Sequence, residues 1–182
     1  MRRDATRENI TAFMKELAKR APRPGSYKVY LVGGGTAVYM GWRRSSVDVD
    51  VYSDEDAVFR DIQEIKEELE INIEFARPEH FVPPLEGSAG RHVFIDMIGA
   101  VTFFHYDPYA QFLSKVVRGF KRDLDDARQF VGSGMVDPAK LRSLIADIPD
   151  SAFAKYPTLS RVAIGSAVEG FLSTVEGDQP PA

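Results

Sequence analysis

The chain has 182 residues, 44% of them hydrophobic and 27% charged, and no cysteine. That excludes disulfides, thiolate metal sites and a cysteine nucleophile, and it leads us to expect a reducing, cytoplasmic setting. Lys and Arg total 23 against 27 Asp and Glu, a net charge of -4, so a nucleic-acid partner would have to be met by a local patch rather than by the whole surface.

In chain order, residues 6 to 20 have the helical stripe Ile10, Phe13, Met14 and Leu17, stopped by APRPG. Tyr27 to Val32 reads as a strand running into Gly33-Gly34-Gly35-Thr36, with a short helix from Thr36 to Met40. Val47 to Tyr52 alternates as a second strand, residues 54 to 70 as a charged helix, and Ile71 to Phe75 as a third strand. A proline-rich loop over 76 to 90 precedes two strands, His92 to Ile98 and Val101 to Tyr106. Asp107-Pro108 and Asp137-Pro138 each read as an N-cap with proline at the first helical position. Helices are predicted over 108 to 120, 122 to 131, 138 to 146 and 159 to 174. No stretch approaches the roughly 20 apolar residues of a membrane span, and the start MRRDATRENI lacks the apolar run of a signal peptide. The predicted class is therefore α/β (α+β): a small mixed sheet over 1 to 107, a C-terminal helical region over 108 to 176, and a flexible tail over 177 to 182.

The strongest chemical signal is Val47-Asp48-Val49-Asp50-Val51. Alternation puts the valines on one face and both aspartates on the other. Aspartate is a poor strand former, and two on one face repel each other, so this face is either simply solvated or has a use for the charge. Before it stands a strand ending in a glycine turn, a backbone that can approach phosphate. The turn matches neither the dinucleotide fingerprint nor the P-loop. After it, Ile71-Asn72-Ile73-Glu74-Phe75 puts Glu74 and Asn72 on one face. If the two strands are neighbours, three carboxylates gather beside the glycine turn. Such a set can hold two Mg²⁺ ions that neutralise a triphosphate during in-line displacement.

Together, Gly33-Gly34-Gly35-Thr36 and Arg44-Ser45-Ser46-Val47-Asp48-Val49-Asp50 resemble the nucleotidyltransferase superfamily typified by DNA polymerase beta. They are similar in particular to bacterial minimal nucleotidyltransferases and abortive-infection (AbiEii-like) toxins. Lys115 through Arg118, and Asp123-Leu124-Asp125-Asp126, look like two further segments of that branch. The resemblance implies a nucleotidyltransferase fold, and transfer of a nucleotide from a nucleoside triphosphate (NTP) with Mg²⁺. Asp48, Asp50 and Glu74 would hold the metals, and Lys115 would act with them. Gly33, Gly34, Gly35, Thr36, Arg44, Ser46 and Arg118 would contact the nucleotide. The third acid could instead come from Asp123 or Asp126. Expected acceptors are RNA (a tRNA end) or a partner protein in a toxin–antitoxin pair; the alternatives are a small aminoglycoside-like compound, or a silent member that only binds. Lys115, Arg118 and Arg122 fall at helical spacing, which reads as an exposed basic face. Asp123 and Asp126 could equally be partners of Arg118 and Arg122.

Overall fold

The computed structural model describes residues 2 to 177; of the expected tail over 177 to 182, Gly177 instead ends a helix and the rest lies outside the described residues. Two compact units emerge: the chain up to Arg77 together with His92–Tyr106, and Pro78–Arg91 together with the chain from Asp107 on. The prolines and glycines of 76 to 90 thus mark a crossing between units as well as a loop.

In the first unit, helix α1 (Arg7–Arg20) starts at Thr6, whose hydroxyl accepts from Asn9 N–H while the Asn9 side chain returns a bond to Thr6, a reciprocal cap. Strand β1 (Tyr27–Val32) leads into helix α2 (Gly33–Tyr39), followed by β2 (Asp48–Tyr52). The helix expected over 54 to 70 is shorter: a 3₁₀ turn over Asp56–Phe59 precedes α3 (Ile62–Glu68). Strands β3 (Asn72–Phe75), β4 (Val93–Ile98) and β5 (Val101–His105) complete a five-stranded sheet in the order β3-β2-β1-β5-β4. β1 is antiparallel to β2 and parallel to β5, and β2 is parallel to β3. The sheet is therefore mixed, as expected.

Parity sorts its two faces. Val29, Leu31, Val49, Val51, Ile73, Val101 and Phe103 share a core with Ile10, Phe13, Met14 and Leu17 of α1. Each such side chain contributes about 1.5–3 kcal/mol by leaving water. Because the valines of β2 are fixed inward by this core, Asp48 and Asp50 must face the other way. A slip of one residue would bury both carboxylates.

In the second unit, α4 (Pro108–Arg118), α5 (Lys121–Gly132), α6 (Pro138–Ala146) and α7 (Arg161–Gly177) pack around Phe112, Leu113, Phe130, Leu141, Ile164 and Val168. Both predicted caps form: Asp107 accepts from Tyr109 N–H at 2.9 Å, and Asp137 from Lys140 N–H at 2.7 Å. Asp107 is fully buried and also takes two bonds from the Arg91 guanidinium, at 3.0 and 2.7 Å. The expected helix to residue 120 stops at Arg118, because Gly119 turns left-handed at φ +70°. Arg122 consequently belongs to a different helix from Lys115 and Arg118, and the predicted continuous basic face does not exist.

Candidate active site

The register places Asp48 opposite Asn72, and Asp50 opposite Glu74 on β3 and Val32 on β1. Val32 is the last residue before the glycine turn, so the acid-bearing face of β2 abuts that turn. Asp48 and Asp50 are half-buried and Glu74 is exposed. Asn72, which the sequence placed on the same face as Glu74, joins two acids: its Nδ2 donates to Asp48 Oδ1 and to Glu74 Oε1, the latter at 3.3 Å.

The glycines have an internal reason that the sequence did not reveal. Gly33 has φ +52°, and a Cβ there would lie 2.6 Å from Asp50 Oδ2. A Cβ on Gly34 would lie 2.4 Å from Ser46 Oγ, and one on Gly35 would lie 3.3 Å from the Asp50 carbonyl oxygen. The turn is side-chain-free partly because β2 and Ser46 press against it. Gly33 is half-buried while Gly34 and Gly35 are buried. Ser46 is fixed in turn by backbone bonds with Ala5, Ala5 N–H to Ser46 O at 2.7 Å and Ser46 N–H to Ala5 O at 3.0 Å. Arg44 is exposed, and it is Arg43 whose guanidinium nitrogen stands 3.7 Å from the Gly34 Cβ position. Gly33→Ala should cost about 1–2 kcal/mol for the left-handed backbone alone, and it should displace the Asp50 carboxylate. Urea denaturation measures the first effect, and loss of divalent-ion binding in the folded variant the second.

Thr36 turns inward. It is fully buried, donates its hydroxyl proton to Leu31 O at 3.1 Å and lies 3.1 Å from His105 Nδ1. With that proton committed, Nδ1 must be the donor in the second contact. Burial pushes the His105 pKa from 6.5 down to about 4. Between those two values the unfolded chain takes up a proton that the native one refuses, so stability falls as pH drops from 6.5 towards 4 and is not lost further below it. The full loss is roughly 3 kcal/mol. Urea midpoints taken from pH 7.5 to 4.5 should reveal it, and His105→Gln should remove that part of the slope.

Lys115 and Arg118 belong to the second unit. Lys115, expected on an exposed face, is only 4% exposed. Its Nζ donates to Asp126 Oδ2 at 2.7 Å and lies 3.5 Å from Asp123 Oδ1. The correction has a simple cause: α5 carries two buried carboxylates that need a cation, and Lys115 supplies it. Arg118 Nε is 3.4 Å from Asp123 Oδ2 but not aligned for a hydrogen bond, which leaves that buried oxygen without an aligned donor among the described residues. The Arg118 guanidinium sits over the rings of Phe81 and Phe120, 4.8 and 5.6 Å from their centroids. Of the two cations that the sequence offered to Asp123 and Asp126, Arg118 stands beside Asp123, and Lys115 joins it beside both acids.

Among the described residues no group of three or more His, Cys, Asp or Glu is placed to hold a metal ion. Asp48 and Asp50 nevertheless fit a hard divalent cation. Mg²⁺ is commonly held by one or two carboxylates, with water and substrate phosphates completing its shell. The Gly33 backbone lies against the Asp50 carboxylate with no side chain between them.

A strand, a glycine turn and a neighbouring strand with paired carboxylates make a unit suited to handling phosphates and cations. The chain belongs to the family described as nucleotidyltransferase of unknown function (DUF6036), which it matches over residues 8–163. Comparison with curated proteins and with solved structures gives no match. Among the described residues no helix is long and apolar enough to cross a membrane.

Proposed function

We propose that this chain is a Mg²⁺-dependent enzyme that moves a nucleotide from an NTP to an acceptor hydroxyl. The observation that carries the reading is the register Val32–Asp50–Glu74, which sets the β2 carboxylates against the glycine turn in a chain of a nucleotidyltransferase family. Asp48 and Asp50 would hold the cations, with Glu74 as the third acid facing Asp50. When bound, the metal supplies charge neutralisation of the triphosphate and a lower pKa for the attacking hydroxyl. Gly33 lets the backbone approach the phosphates, Ser46 offers a hydroxyl at the same turn, and Arg43 and Arg44 bring positive charge to it. Asp50, opposed by the Gly33 backbone, is kept from swinging away from the pair.

The acceptor implied by the resemblance is macromolecular: an RNA end, or a partner protein in a toxin–antitoxin setting. The test is incubation with α-³²P-labelled NTPs, Mg²⁺ and a cell extract, followed by separation of RNA, protein and small molecules. Label in RNA or protein is the expected result. Label only in small molecules would point to a compound such as an aminoglycoside, and no label in any fraction, with all four NTPs tried, would overturn the reading.

A further inference from the structure

We propose that Asn72, held in place by Arg2, is a positioning residue for the carboxylates: its amide nitrogen holds Asp48 and Glu74 on one donor and so sets the Asp48 oxygen that remains for the cation. This rests on the metal reading above and narrows it. Asn72 makes three side-chain bonds. Arg2 Nη1 donates to its Oδ1 at 2.9 Å, and its Nδ2 donates to Asp48 Oδ1 and Glu74 Oε1. A guanidinium can only donate and a carboxylate can only accept, so the orientation of the amide is fixed from both ends. Its two N–H protons are then both committed to acids.

The amide stands where a carboxylate would be hardest to bear. It is directly opposite Asp48 in the register, two positions along and on the same face as the Asp50–Glu74 pair, where a further charge would add to the repulsion. As a neutral donor it holds one Asp48 oxygen and leaves the other for a ligand. Glu74, which is exposed, is held by the same nitrogen. Arg2 arrives because the chain start is pinned to the sheet. Arg3 N–H donates to Glu70 O at 2.7 Å, the Arg3 side chain pairs with Glu70 at 3.0 Å, and Ala5 bridges Ser46.

The experiment is a Mn²⁺ titration of the nucleotide-free full chain followed by electron paramagnetic resonance. Partners that orient metal ligands typically change affinity by about 10–100-fold, so Asn72→Ala should weaken Mn²⁺ binding at least about tenfold. Arg2→Ala, at an exposed residue whose loss does not threaten folding, should weaken it about threefold. The double variant should be no worse than Asn72→Ala, because both act through one amide. Wild-type affinity in Asn72→Ala, or additive losses in the double variant, would each overturn the assignment. Mn²⁺ bound no more tightly by wild type than by Asp48→Ala would instead overturn the metal reading itself.

Discussion

Lys115→Ala is expected to destabilise the helical unit by about 3–5 kcal/mol, the usual result of removing one member of a buried ion pair. Asp126 is 2% exposed, and the Lys115 ammonium donates to it at 2.7 Å. Asp123 fares better, because Arg118 remains 3.4 Å away. Lys115→Arg should not restore the loss, since the larger planar guanidinium has to fit a packed site built around an ammonium. Lys115→Met with Asp126→Asn removes both charges together and should recover most of the stability. Lys121→Ala is the control: its side chain is 93% exposed and 3.4 Å from Asp125, a surface pair whose loss should change little. Circular dichroism in urea is the suitable measurement, since the single tryptophan, Trp42, lies in the other unit. A loss below about 1 kcal/mol for Lys115→Ala would mean that the pair is open to water. Until that measurement is made, lost turnover in Lys115→Ala says nothing about contact with a phosphate.

What could be read from the sequence divides along a physical line. Strand parity is local, with a period of two, and Val49 and Val51 fix it; this made the common face of Asp48 and Asp50 legible. The two Asp-Pro helix starts were legible for the same reason, because a cap and its proline lie within one turn. Lys115 was misread because its burial is decided by Asp126, eleven residues on and in another helix. Helical spacing alone draws the basic face through to Arg122, although the predicted helices already place Arg122 beyond a break. Thr36 looked like a ligand-facing hydroxyl, but its partners are Leu31 and His105, the second of them 69 residues away. Arg2 is the extreme case, reaching Asn72 across 70 residues through a bridge at the chain start. Asn72 itself could have been found: it shares parity with Glu74, and an amide among aligned acids has protons to give.

Asp48→Asn and Asp50→Asn are each expected to lower nucleotide transfer at least about a thousandfold, the effect of roughly 4 kcal/mol at the transition state. Asparagine keeps the shape and removes the charge, so the loss would report on cation binding rather than on packing. Neither side chain belongs to the core that Val49 and Val51 build on the opposite face. The fold should therefore hold, and relief of repulsion between the acids can raise apo stability slightly, as happens where a functional site is strained. The two positions should differ in one respect. Asp48→Asn leaves Asn72 facing an amide instead of a carboxylate, so the hold on Glu74 changes as well. Asp50→Asn alters the group that lies against Gly33. Both variants should have urea midpoints at or above that of wild type while losing label transfer, and excess Mn²⁺ should rescue neither. Wild-type turnover in Asp48→Asn would remove the carboxylate pair from the chemistry and leave β2 with a merely solvated face.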